Sequence, residues 1–100
     1  MRAVLVLLLL ANVASAGDPC APGTRHRGAA IDLDFERADL HDALRLLADT
    51  AKLDLVVSER VSGAVTLKLK HVPWDAALCT IARVHHLQIT LDHGILLVRN

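Results

Sequence analysis

Six histidines, two cysteines and a run of alternating carboxylates are the residues of this 100-residue chain best equipped for chemistry. The histidines are His26, His41, His71, His85, His86 and His93. A bound transition metal needs three or four such ligands converging on one point, and helices commonly supply two of them as an H-x-x-x-H pair. Neither that pair nor a Cys-x-x-Cys motif occurs. His85 and His86 are adjacent, so on a helix they point about 100° apart. These histidines read as surface and helix-end residues, with no metal site and no cofactor.

Hydrolytic catalysis would need a nucleophile held beside a base and an orienting acid. Ser58, Ser62, Thr66 and Cys79 are available, but none sits in a nucleophile-elbow context. Asp32 and Asp34 fall on the same side of a strand, as paired carboxylates do in an acid–base site. Alternating acids are far commoner on a solvated strand face. The reading is not an enzyme.

Cys20 and Cys79 are the only cysteines. In an oxidising compartment they could form an internal disulfide worth about 4 kcal/mol by chain entropy. Pairing of Cys20 with another protein is the alternative, and sequence alone does not choose between them.

The compartment follows from the first residues. Arg2, the apolar run from Ala3 to Ala11 and the triplet Ala14-Ser15-Ala16 have the order of a secretory signal peptide, residues 1–16. The apolar run is short of the roughly 20 residues a membrane span needs. Without Arg2 the charge balance is 10 basic against 11 acidic residues, from 11 of each in the whole chain. There is no basic surplus for phosphates, and Phe35 and Trp74 are too few to stack bases, so nucleic acid is excluded as a partner. Residues 17–30 carry glycine, proline and Arg25-His26-Arg27 without an apolar period, and read as a flexible leader.

Regular structure is expected over 31–100. Ile31, Leu33 and Phe35 alternate with Asp32, Asp34 and Glu36, a strand with an acidic outer face. Asp39 is placed to cap a helix whose apolar stripe is Leu40, Ala43, Leu44, Leu47, Ala48 and Ala51. Leu53–Val57 is a short apolar strand, and Val65, Leu67 and Leu69 alternate through the next one. Pro73 stops that strand and suits a helix's first turn, with Asp75 complementing the dipole. Trp74, Ala77, Leu78, Ile81, Ala82 and His85 make the second stripe. Leu87–Leu91 and Ile95–Val98 form a hairpin about Asp92-His93-Gly94, the last strand being apolar at every position, as in a strand buried on both faces. The order is β-α-β-β-α-β-β, an α+β fold.

These residues resemble a known family. Ile31-Asp-Leu-Asp-Phe35, the helix Leu40–Ala48, Leu55-Val-Val57, Gly63–Leu69, Val72-Pro-Trp-Asp-Ala-Ala-Leu78 and the hairpin are similar, in that order, to the secretin and TonB-dependent receptor short N-terminal domain, the N0 domain of secretins. The resemblance implies two helices between a three-stranded and a two-stranded sheet. Such layering would cover Leu46, Cys79 and Val84, which lie off the two stripes. It also implies a stand-alone, exported, periplasmic interaction module, associated with the outer membrane through a partner. The partner would be a secretin, a type II or III secretion or type IV pilus component, or a TonB-receptor signalling protein. Where the family often has glycine after each helix, this chain has Lys52 and His85-His86, so those ends are expected to close differently.

The exposed edge of the first strand, Ile31, Asp32, Leu33, Asp34, Phe35 and Glu36, is the candidate partner-binding surface, its acids favouring a basic partner. The alternative function is a periplasmic ligand- or metal-binding protein using the surface histidines and Cys79. A truncated remnant of a longer gene, with no partner, is the third.

Overall fold

The computed structural model describes residues 16–100, so the signal-peptide expectation lies outside it except for Ala16. The chain runs β1 (Ala16–Gly17), β2 (Ala30–Asp39), α1 (Leu40–Ala51), β3 (Asp54–Val57), β4 (Ala64–Pro73), α2 (Trp74–His85), β5 (Gln88–Asp92) and β6 (Ile95–Arg99). β2 and β4 pair antiparallel as a two-stranded ribbon. β5, β6 and β3 form the second sheet, with β3 parallel to β6, and the two-residue β1 adds at the β5 edge. The expected α+β fold and element order are what the chain adopts.

Ten-residue strands keep one face apolar only if their alternation stays in phase. Two bulges manage this. Phe35 pairs with Leu67 but Ala38 with Val65, so Glu36 and Arg37 together face Thr66. Ile31 pairs with Val72 but Leu33 with Leu69, so Lys70 and His71 together face Asp32. Each bulge holds a residue in the left-handed region, Arg37 at φ 51° and His71 at φ 56°. Each of those amides donates across the ribbon to a side chain, Arg37 N to Thr66 Oγ1 at 2.9 Å and His71 N to Asp32 Oδ1 at 2.7 Å. Beyond each bulge the inward residues resume, so Ala38 and Val72 pack on the core with Leu33, Phe35, Leu67 and Leu69.

Both helices bury the stripes their spacing predicts. Leu40, Ala43, Leu44, Leu47 and Ala48 are buried on α1, and Ala77, Leu78, Ile81 and Ala82 on α2. Asp39 caps α1, its carboxylate accepting from Asp42 N at 3.2 Å. Pro73 is the cap residue of α2 rather than part of its first turn. From the second sheet Leu96, Val98 and Ile89 complete the core.

Some expected burial does not occur. Leu46 is 44% exposed and Val84 66% exposed, so the two-sheet layering covers Cys79 but not these two. β6 is central in its sheet yet has only one dry face: Leu96 and Val98 are buried while Ile95 and Leu97 look outward beside Val56. A sheet covered by helices on one side alone leaves every second residue facing solvent.

The helix ends also depart from expectation, because they close in the left-handed way without glycine. Lys52 at φ 59° sends its amide to the Ala48 and Asp49 carbonyls, and His86 at φ 58° sends its own to Ala82. A side chain in that region costs about 1–2 kcal/mol, which glycine would avoid at some expense in unfolded-state entropy. Lys52→Gly and His86→Gly are each expected to raise stability by about 0.5–1 kcal/mol, read as a higher midpoint in thermal or urea unfolding.

Candidate functional site

β2 reaches the candidate surface as an edge. Its one strand neighbour is β4, and among the described residues nothing pairs with its other side. Leu33 is buried, and Ile31 and Phe35 pack against the core from the inner face. Asp32, Asp34 and Glu36 are exposed on the outer face, as their alternation predicts.

The three acids are not equivalent. Asp32 is engaged by the His71 amide and so holds a bulge. Asp34 stands directly opposite Lys68 in the register. A groove of about 230 Å³ is lined by Asp32, Leu33, Asp34, Lys68, Leu69 and Lys70. Glu36 is neighboured by Arg37 at 3.9 Å, both at the exposed surface. The outer face of the ribbon is therefore of mixed charge, not acidic as β2 alone suggests.

The histidines are scattered through separate local tasks. His41 Nε2 donates to the Val61 carbonyl, tying α1 to the loop before β4. His71 occupies a bulge and His86 a helix end. His93 fills a positive-φ position in the β5–β6 turn, with Nδ1 at 2.5 Å from Asp92 Oδ1. His26 Nδ1 lies 3.7 Å from Asp75 Oδ2. Among the described residues no three His, Cys, Asp or Glu side chains are grouped to hold a metal ion.

Residues 17–30, read as a flexible leader, are attached to the domain at three places. Cys20 is joined to Cys79 of α2 by a disulfide, with their α-carbons 5.4 Å apart. Upstream of it, Ala16 and Gly17 pair with Asp92 and Leu91 of β5. Downstream, Asp75 accepts from Arg27 N at 3.1 Å and from Gly28 N at 3.2 Å, and Trp74 N donates to the Ala29 carbonyl. Gly28 is pressed so closely on the Trp74 indole that a β-carbon there would overlap it. Asp75, expected to serve the helix dipole, thus also binds the strap. The upstream end is held differently. A backbone hydrogen bond contributes about 1 kcal/mol net, whereas ordering each residue from 16 to 20 costs about 1–2 kcal/mol. Two paired residues alone do not offset that, and the disulfide adds a covalent tie to α2.

Comparison with known proteins agrees with this architecture. No family model matches the chain. The chain is 38% identical over 84 residues to the type IV pilus biogenesis and competence protein PilQ of Neisseria gonorrhoeae, a match covering 84% of this chain and 12% of that protein. The fold superposes on the N0 domain of the type II secretin from enterotoxigenic Escherichia coli with a TM-score of 0.66, at 12% identity, over 72% of this chain and 95% of that one. It also superposes on the V. cholerae type IV competence pilus secretin PilQ with a TM-score of 0.60 at 34% identity, over 67% of this chain and 16% of that one. The chain carries a secretin N0-like domain. It spans only 11–12% of the length of the Neisseria relatives it matches. Among the described residues no helix is long and apolar enough to cross a membrane, which says nothing of β-barrels.

In this N0-like domain the structural roles of Asp32, Asp75 and Gly28 were hidden from pattern reading, since each depends on a residue distant in sequence. The Pro-Trp-Asp run and the isolated Gly28 were the available signals. Two outcomes follow. Asp32→Ala is expected to cost about 1.5–3 kcal/mol in urea unfolding, by removing a charged acceptor from the His71 amide, and His71→Gly is expected to restore part of that loss. Gly28→Val is expected to displace the single tryptophan, giving a red-shifted emission and a loss of about 1–3 kcal/mol.

Proposed function

We propose that this N0-like domain is a non-enzymatic periplasmic interaction module that docks onto a secretin, type II secretion or type IV pilus assembly through the free edge of β2. The observation that carries the reading is the two-stranded ribbon, in which Ile31–Glu36 have no strand neighbour but β4 among the described residues. Unpaired amides and carbonyls on such an edge accept a strand from another chain, and main-chain hydrogen bonds supply most of the attraction. The similarity to PilQ supports the choice of machine, since that relative is a type IV pilus biogenesis protein. A location in the periplasm fits both the signal-like first residues and the disulfide. Metal or ligand binding by the histidines has less behind it, because among the described residues no three His, Cys, Asp or Glu side chains are grouped to hold a metal ion.

Photo-crosslinkers placed at Asp34 and Glu36, and at Val84 as a control, in intact envelopes test the reading by mass-spectrometric identification of the captured protein. A secretin or pilus component is expected from the β2 positions and not from Val84. With the crosslinker at Asp34, charge reversal at Glu36 is expected to lower that yield about twofold, with the loss shrinking at high salt. Equal capture from Val84, or capture of unrelated abundant proteins alone, would overturn the proposal.

A further inference from the structure

We infer that the Cys20–Cys79 disulfide is a redox latch on the β5 edge: oxidised, it holds residues 17–24 against that edge, and reduced, it releases them while the rest of the domain stays folded.

The two ends of the strap differ in what holds them. At the downstream end Asp75, the Ala29 carbonyl and the Gly28–Trp74 contact act together and need no cysteine. At the upstream end of a chain starting at Gly17, the ties among the described residues are the disulfide, the pairing of Gly17 with Leu91, the 3.6 Å approach of Cys79 Sγ to the Pro19 carbonyl and the half-burial of Pro19, Cys20 and Ala21. The remaining hydrogen bonds there are internal to a turn, Cys20 N to Asp18 Oδ1, Ala21 N to the Asp18 carbonyl and Thr24 N to the Ala21 carbonyl. With the bridge broken, one paired residue, one long sulfur contact and three half-buried side chains do not balance the entropy of ordering the segment.

What opening would expose is a place already shaped for a strand. β1 covers Leu91 and Asp92, while a cleft of about 480 Å³ runs beside the remainder of β5, lined by Asp18, Cys20, Cys79, Ala82, Arg83, Leu87 and Gln88–Thr90. Departure of the segment removes Asp18 and Cys20 from that lining and leaves the β5 edge without a strand partner among the described residues. β1 itself demonstrates that this edge takes an antiparallel strand. The switch lies on the opposite sheet from β2, so it is independent of the docking proposed there.

The chemistry is a two-electron reduction by a dithiol. The S–S bond between Cys20 and Cys79 breaks, each sulfur gains one electron and one proton, and the dithiol leaves as its own disulfide. Cys79 is 4% exposed in the bridged protein, and release of the strap removes one side of its cover.

Amide hydrogen exchange on the full chain tests this, comparing oxidised protein with protein reduced by dithiothreitol and with Cys20→Ser. Exchange at the outward-facing β5 amides is expected to rise about tenfold or more, with β2 and β4 amides unchanged within about twofold. Cys79 in Cys20→Ser is expected to react with a bulky maleimide about tenfold faster than a buried thiol kept covered. Unchanged β5 exchange together with a protected Cys79 would overturn the latch, because the segment would then hold itself in place. Loss of protection across β2 and β4 as well would overturn it too, since the bridge would then support the whole domain.

Discussion

Alternation through two ten-residue strands is the constraint on which the rest of the domain depends. α1 and α2 present apolar stripes whose largest members, Leu40, Leu44, Leu47, Leu78 and Ile81, are fully buried, and the ribbon must cover them without turning a polar face inward. A straight ribbon twists away from two helices over that length. The bulges at Glu36–Arg37 and Lys70–His71 increase the local twist and then restore phase, so the inward row runs from Ile31 to Ala38 and from Val65 to Val72. Each bulge puts a non-glycine residue at positive φ, and each is held by a side-chain acceptor on the opposite strand. The strain and its clamp arrive together. A core truncation such as Leu44→Ala would cost about 2–5 kcal/mol, so losing either clamp is comparable with losing part of a core side chain.

The second sheet solves a different problem. Its strands are short, its central strand β6 is apolar on both faces, and helices cover one face only. Val56, Ile95 and Leu97 accordingly form a small apolar row on the outside, flanked in the register by Asp54 and Asp92. At the β5 edge the leader pairs with Leu91 and Asp92, and Cys79, one helical turn beyond Asp75, tethers it nearby. One helix thus anchors the strap twice, by a carboxylate at its start and a sulfur further along.

Much of this was legible in the chain. Period-3.6 stripes placed both helices and their buried faces, because each stripe is local and continuous. Asp39 was readable as a cap, since its partner Asp42 lies three residues away. The α+β order and the β5–β6 turn followed from alternation and from Gly94. What escaped reading was non-local. Nothing about Arg37 or His71 marks a left-handed residue until the register of the other strand is known. Asp32 looked like a free surface acid because His71 is far along the chain. The leader looked loose because its attachments to Asp75, Trp74 and β5 are all distant in sequence. Leu46 and Val84 looked coverable because a layered family architecture says nothing about how far each sheet extends.

The acids of β2 bear on how an added strand would be chosen. Asp32 is committed to the His71 amide, Asp34 faces Lys68, and Glu36 neighbours Arg37, so little uncompensated negative charge remains. Exposed pairs of this kind contribute about 0–1 kcal/mol and are screened within roughly 10 Å at 0.1 M salt. A strand adding at Ile31–Glu36 would therefore gain most from the row of backbone amides and carbonyls, which is indifferent to sequence. Selectivity would come from the shape of the edge instead. The Glu36–Arg37 bulge ends regular pairing at one side and Asp32, opposite the other bulge, at the other side, leaving a short window centred on Leu33–Phe35. A partner segment longer than that window gains nothing further from the edge. An edge so bounded by its own bulges is open to a short strand and closed to indefinite sheet extension, which is how such an edge avoids aggregation.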